Sequence, residues 1–562
     1  MNFQALSTCV VLLFTCIHGN KEHLRRAYDP DSWKNNVSCD VCKIIVGQLA
    51  TAVEQQAPSK TLIELSNFFC THFKIEDARV CKAIINQYKD TIFGVLQMTV
   101  LSPDDVCAQV INETCGSPFN PNTTWNITLS SVPKPPVMPP AIPKPGLPTI
   151  RILQLTDMHL DLEYKYNSSA DCHEPLCCRV NDGPPEAGHK GAGYWGDYRH
   201  CDLAPRTFYS MMEYLESIKN KFDMIYFTGD IPAHNIWNQT RVDQLARIRV
   251  FQSALERYLP DKPVYFAAGN HESSPCNIYA PPFVTGNLSQ DWLYGAFAEV
   301  WTKWMPMDTI DTILRGGFYS VSPLPGLRII SINSNLGTTD NWWLLVNNTD
   351  PAGQLQWLAD ELQEAENNNE KVHILMHHPT ASAGVKPWNL NFFKIVNRYE
   401  SIIQGHFNGH SHDDFFTVFY DEVNFTRPIS TGFVAGSGTT YSNLNPGFRI
   451  YTIDGNYTGS SWAILDFDNY VADISELTAK TTPVWVKEYS AKADYNMGSL
   501  YPSDWSDLIY RMRDDDSLFQ KFDKYRYKLA ANGPCKGSCK TSSLCSLKTA
   551  QTGHPDLCKD LQ

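Results

Sequence analysis

Five stretches of this 562-residue chain carry side chains that bind cations and move protons. "ILQLTDMH" ends in Asp157 and His159, "MIYFTGD" in Asp230, and "VYFAAGNH" in Asn270 and His271; "HILMHHP" contains His377, and "GHFNGHSH" supplies His410 and His412. Taken singly, an Asp closing an apolar run is usually a turn or helix cap, and a His there is usually a satisfied polar residue. Seven oxygen and nitrogen donors over five segments (Asp157, His159, Asp230, Asn270, His377, His410 and His412) point instead to bound metal. Imidazole, carboxamide and carboxylate together suit zinc, and ligand type alone also admits manganese or mixed iron sites. In "DMH" and "HSH" the two donors straddle one residue, so extended backbone sends both to one face, where they grip one ion. Gly229, Gly269 and Gly409 let the chain turn sharply beside it.

The elements that must carry these donors are short apolar runs: Ile150 to Leu155, Met224 to Phe227, Val264 to Ala268, Leu327 to Ile332 and Val372 to Met376. They alternate with polar, helix-like stretches, which predicts an α/β domain over residues 150–479 with largely buried strands. Donors at the carboxyl ends of such strands lie where open α/β sheets bind ligands.

The proline-rich segment "SSVPKPPVMPPAIPKPGLPT", residues 130–149, cannot form helix or central strand and reads as a semi-rigid spacer. Ahead of it, Cys39, Cys42, Cys70, Cys81, Cys107 and Cys115 sit among helix-period apolar positions, which predicts a small all-α, disulfide-stapled domain over 35–119. Cysteine counting alone leaves fifteen pairings open. From about Lys480 the pattern turns helix-like and ends in Cys535, Cys539, Cys545 and Cys558, a helical C-terminal domain over 480–562.

The uncharged apolar stretch from Ala5 to Ile17 reads as a signal peptide over residues 1–20. Seventeen cysteines, together with sequons at Asn36, Asn112, Asn122, Asn126, Asn167, Asn238, Asn287, Asn347, Asn424 and Asn456, point to an oxidising route and a secreted or lysosomal destination. No later run is apolar enough to cross a bilayer. Net charge is -13 with 16 His, so acidification brings the chain toward neutrality and favours contact with anionic membrane.

The six N-terminal cysteines resemble those of saposin B-type modules, helical units that handle lipids. That resemblance implies pairs Cys39–Cys115, Cys42–Cys107 and Cys70–Cys81. The series Asp-X-His, Gly-Asp, Gly-Asn-His-Glu, His, Gly-His-X-His resembles the calcineurin-like metallophosphoesterase superfamily. Within it, "GDIPAHNIW", "AAGNHESSP", "NNTDPAGQLQWL" and "AGSGTTYSNLNPGFRIY" are similar to the acid sphingomyelinases, and the likeness spans nearly the whole mature chain.

The resemblance implies two Zn2+ ions, one on Asp157, His159 and His412, the other on Asn270, His377 and His410, bridged by Asp230. Purple acid phosphatases add a tyrosine three residues after the bridging Asp; here position 233 is Ala. Two such cations activate a water as hydroxide and offset the charge of the attacked phosphate. The leaving alkoxide needs a proton, for which the family positions suggest His271, helped by His234; an imidazole is largely protonated near pH 5. "MHHPTA" departs from the family's Gly-His-X-Pro-Pro form, and His377 rather than neighbouring His378 aligns with the ligand.

Family pairing also implies Cys172–Cys177, Cys178–Cys201, Cys535–Cys539 and Cys545–Cys558, which leaves Cys276 outside the disulfides. The substrate implied is a membrane sphingolipid, sphingomyelin, cleaved to ceramide and phosphocholine, with the saposin-like module making peripheral contact with the bilayer. No nucleic acid and no obligate protein partner is inferred. Two rivals remain from the sequence: a nucleotide phosphodiesterase or phosphomonoesterase of the same superfamily, and a non-enzymatic lipid-binding protein.

Overall fold

The computed structural model describes residues 39, 43, 59–72, 76–99, 102–104, 107, 115, 124–138, 142–380, 384–530, 533–551 and 555–561. The expected signal peptide, Cys42 and the sequons at Asn36, Asn112 and Asn122 lie outside them. The seven described sequon asparagines, Asn126, Asn167, Asn238, Asn287, Asn347, Asn424 and Asn456, are all exposed.

Short runs of β-branched and aromatic residues, apolar on both faces, form two mixed six-stranded sheets. The first sheet starts with β1 (Thr149–Leu155), β2 (Met224–Phe227) and β3 (Val264–Phe266), which run parallel. The second holds β4 (Tyr319–Leu324), β5 (Leu327–Ser331), β6 (Lys371–Leu375), β7 (Ile403–Asn408), β8 (Phe415–Tyr420) and β9 (Pro428–Val434), ordered β4-β5-β6-β7-β9-β8. The chain then returns through β10 (Gly447–Asp454), β11 (Ile464–Val471) and β12 (Val486–Ser490), completing the first sheet as β12-β11-β10-β1-β2-β3. Because β12 pairs with β11, the sheet runs past residue 479, where the sequence pattern places the start of the helical domain. The exposed, charged face of "VKE" hid this edge strand from hydropathy.

A buried amide joins the two sheets beneath the strand ends. Gln154 of β1 donates through Nε2 to Thr228 Oγ1 (3.0 Å) and to Asn408 O at the end of β7 (2.9 Å), and its Oε1 accepts from Tyr451 Oη (2.7 Å). All its partners are met, so it fixes the spacing of the sheets; removing one would leave an orphan costing about 1–3 kcal/mol.

In the N-terminal module, α1 (Ser59–His72) and α2 (Ala78–Met98) are described, with disulfides Cys39–Cys115 and Cys70–Cys81. Asp77 caps α2 by accepting from Arg79 N–H (2.7 Å). Its buried stripe, Val80, Ile84, Tyr88, Ile92 and Val95, follows helical spacing and packs on the catalytic domain. Tyr88 lies 5.2 Å from the Trp342 ring and donates to Cys276 O (3.1 Å), and Gln87 Nε2 donates to Ser274 Oγ (2.9 Å).

The residues leading into the proline-rich segment, from Trp125 to Val132, lie along α3 (Gln354–Asn367) and α4 (Lys386–Arg398). Asn391 brackets the chain at Trp125 O (2.9 Å) and Ile127 N (3.2 Å), and Arg398 donates to Val132 O (3.0 Å). Extended proline-rich backbone leaves its carbonyls without internal partners, and Arg398 takes up that of Val132, so the segment starts pinned to α4. In the C-terminal region, α5 (Pro502–Asp514), α6 (Asp516–Arg526) and α7 (Ser538–Lys548) cover sheet two, with Trp505 against the rings of Phe416 (4.4 Å) and Phe433 (5.7 Å). Disulfides Cys172–Cys177, Cys178–Cys201, Cys535–Cys539 and Cys545–Cys558 are formed, and buried Cys276 takes part in none. No helix among the described residues is long and apolar enough to cross a membrane.

Candidate metal centre

The ends of β1, β2, β3, β6 and β7 bring all seven predicted donors together at 9% exposure or less. Five of them, Asp157 (φ 47), His159 (φ 40), Asp230 (φ 66), His410 (φ 76) and His412 (φ 64), hold left-handed backbone. Such conformations cost of order 1–3 kcal/mol each for non-glycine residues and cluster at functional sites. The extended geometry expected for "DMH" and "HSH" is therefore replaced by tight turns, with a consequence for the second pair. His412 joins Asp157 and His159, whereas His410 turns toward Asn270 and His377.

Hydrogen bonding fixes what each ring presents. His159 Nδ1 donates to Pro232 O (2.8 Å) and His412 Nδ1 to Tyr441 O (2.8 Å). A carbonyl only accepts, so in each neutral ring Nε2 carries the lone pair, and these two Nε2 atoms face each other at 3.0 Å. Two lone pairs repel at that distance, and a cation between them turns the repulsion into ligation. Asp230 Oδ2 lies 3.4 Å from His159 Nε2, and Asp157 Oδ1 lies 3.7 Å from His412 Nε2, separations suited to ligand atoms about 2 Å from one ion.

The other half repeats the device. His377 Nδ1 donates to Thr228 O (2.7 Å), aiming Nε2 at Asn270 Oδ1 (2.8 Å) and Asp230 Oδ2 (3.1 Å). Asn270 donates from Nδ2 to Asn277 Oδ1 (2.8 Å), so its Oδ1 faces inward, 3.1 Å from His410 Nδ1. Asp230 Oδ2 thus belongs to both groups. Burial pushes the Asp157 carboxyl up to about 7, and a nearby cation would hold it ionised. The residues fit a pair of divalent ions.

Of the three glycines, only Gly229 takes a left-handed φ, +98°. Gly269 and Gly409 serve by lacking Cβ, which would fall on Asp230 and on Thr156 and Asp157. His378 bonds through Nδ1 to Ser334 Oγ (3.0 Å), and His406, on β7, contacts Ser430 Oγ (3.1 Å) away from the centre.

Beside the donors stand two further imidazoles. His271 presents its backbone N–H to Asp230 Oδ1 (2.8 Å), and its ring meets His159 at 4.7 Å and His234 at 4.6 Å. His234 bonds through Nδ1 to Asp202 Oδ1 (2.8 Å) and stacks on Tyr441 at 4.2 Å. His234 Nε2 and His271 Nδ1 are buried without a protein partner. Burial lowers the His271 pKa to about 4, against the pull of Asp230, so the ring is mostly neutral near pH 5 in the protein alone; the sequence reading has it protonated there.

Residues 150–414 match the calcineurin-like phosphoesterase family. The sphingomyelin phosphodiesterase of Bos taurus is 44% identical over 528 residues, covering 94% of this chain and 84% of its own. That of Homo sapiens is 42% identical over 538 residues, covering 95% and 85%. The chain belongs to the sphingomyelin phosphodiesterase family. A cyclic GMP-AMP phosphodiesterase of Bos taurus is 30% identical over 417 residues, covering 70% of this chain and 87% of its own.

For a sphingomyelin phosphodiesterase family member, a metallophosphoesterase domain implies divalent metal ions, and the donor set above accommodates them. Sequence reasoning missed the groups that hold the donors. Glu272 accepts from Ile231 N (2.7 Å) and Asp230 N (3.2 Å), bracing the shared carboxylate; its place directly after His271 was the available signal. Asp202, in "HCDLAP", carried none. The cluster of Cys172, Glu174 and Asp182 is no thiolate site, because its sulfur is in a disulfide.

Proposed function

We propose that this protein hydrolyses sphingomyelin to ceramide and phosphocholine, with two zinc ions held by Asp157, His159 and His412 on one side, Asn270, His377 and His410 on the other, and Asp230 between. The observation that carries the reading is the shared Asp230 Oδ2, 3.4 Å from one group's imidazole and 3.1 Å from the other's. Bound there, the ions supply the positive charge that acidifies a water and offsets the phosphate.

The chain's own groups do the rest. Glu272 and the His271 N–H keep Asp230 oriented between the halves. His271 gives its proton to the departing ceramide oxygen; an arriving phosphodiester anion acts on its ring as Asp230 does, toward protonation. Asp202 holds His234 in one tautomer, with Nε2 turned to the same space.

The saposin-like module would settle on lipid and bring the bilayer to the site. Disulfides and exposed sequons support a secreted or lysosomal setting. The similarity to a cyclic GMP-AMP phosphodiesterase favours a second reading, a nucleotide substrate, but that match covers only 70% of this chain. The test compares full-length protein at about pH 5 on sphingomyelin liposomes and on a nucleotide diphosphate. Phosphocholine release that stops with a zinc chelator is the expected result; cleavage of the nucleotide alone would defeat the lipid assignment.

A further inference from the structure

The loop from Gly436 to Tyr441 contains no proposed ligand, yet it touches most of one half of the centre. Ser437 N–H donates to His412 O (3.1 Å), Thr439 N–H to Asp157 O (3.0 Å) and Thr439 Oγ1 to Asp202 Oδ1 (3.0 Å), while Tyr441 O receives His412 Nδ1 (2.8 Å). Small residues dominate the loop, so something outside it must fix its shape.

That support comes from the far end of the chain. Lys528, two residues past α6, is fully buried at 0% exposure, and its Nζ donates to Ser437 O (2.8 Å) and Oγ (2.7 Å). Its stem runs beside Gly436 and Gly447, where a Cβ would stand 2.7 Å and 3.3 Å from Lys528 Cδ. Neither glycine has a left-handed φ; the passage of this side chain accounts for Gly436, and at Gly447 it adds to the closer Tyr470 O at 2.9 Å. Lys528 itself is left-handed (φ 53), and its carbonyl accepts from Asn445 Nδ2 (2.9 Å). Close by, Arg526 O accepts from Asp414 N (2.8 Å), and its guanidinium bonds the Asp413 carboxylate, next to His412. An ammonium is costly to bury and a left-handed backbone costly to hold, so the arrangement is over-determined in the way functional supports are.

We infer that Lys528 is a positioning residue of the metal centre: through Ser437 it locks the 436–441 loop, and so the places of His412, Asp157 and the Asp202–His234 pair. The inference rests on the two-metal reading proposed above. That reading fails separately, if wild-type protein binds no metal.

The test uses full-length Lys528→Met with Lys524→Met, at an exposed position of α6, as control. For Lys528→Met we expect chelator to strip the ions at least about tenfold faster, and kcat to fall by about 10–100-fold with little change in KM. The visible spectrum of the cobalt-substituted protein should also change. Lys528→Arg should restore part of the loss, since a guanidinium keeps charge and donors. Ser437→Ala, a change of one oxygen, should move metal release in the same direction, and it decides the matter if Lys528→Met does not fold. Wild-type metal release and kcat in Lys528→Met, or in Ser437→Ala if only that variant is obtained, would overturn the inference. So would a fall in melting temperature alone.

Discussion

Asp230→Ala is expected to release metal and to lose activity by at least about 10³-fold, some 4 kcal/mol of transition-state stabilisation. The reason is positional. Every other proposed ligand serves one ion, whereas Asp230 Oδ2 stands between His159 and His377 Nε2 atoms, at 3.4 Å and 3.1 Å. Without it, the facing lone pairs of His159 and His412, and of His377 with Asn270, lose the anion that makes a pair of nearby cations tolerable. Its other oxygen also receives the His271 N–H, so the proton donor loses its anchor as well. Metal analysis of purified Asp230→Ala checks this directly; metal content equal to wild type would refute the bridging role.

His271→Ala should behave in the opposite way, keeping both ions and losing turnover. Its ring ligates nothing in the proposed scheme, and the contact with Asp230 runs through the backbone, which alanine retains. Removing a general acid costs typically 10²–10⁴-fold. Because the loss comes from a leaving group that must be protonated, a substrate with an acidic leaving group, such as a nitrophenyl phosphodiester, should be cleaved nearly as fast by the variant as by wild type. An equal loss on both substrates would show that His271 only orients the centre. His234 gives a useful contrast, since Asp202 and Tyr441 hold it from two sides and alanine there should cost less.

How much of this was legible in the sequence follows from what each residue depends on. Asp157, Asp230, Asn270 and His377 were readable because they directly follow short apolar runs, and the carboxyl ends of such strands converge. The split of His410 from His412 was not readable from spacing. It depends on left-handed φ of 76° and 64°, with the His410 ring toward Asn270 and the His412 ring toward His159, and only the family resemblance implied such a split. Asp202 and Lys528 were invisible for a different reason: they meet the centre across 32 and 91 residues of intervening chain, through His234 and Ser437, and nothing local marks them. The strand at Val486–Ser490 escaped because an edge strand need not be apolar. The proline-rich segment reads as a spacer in the sequence, and the docking of its start on α4 depends on a side chain more than two hundred residues away.

The most direct test of the account is the anomalous diffraction of crystals of the full-length protein, measured on both sides of the zinc absorption edge. Two peaks about 3.5–4 Å apart are predicted, one touching Asp157, His159 and His412, the other Asn270, His377 and His410, with the Asp230 carboxylate between them. A single peak, or two peaks that do not share Asp230, would contradict it.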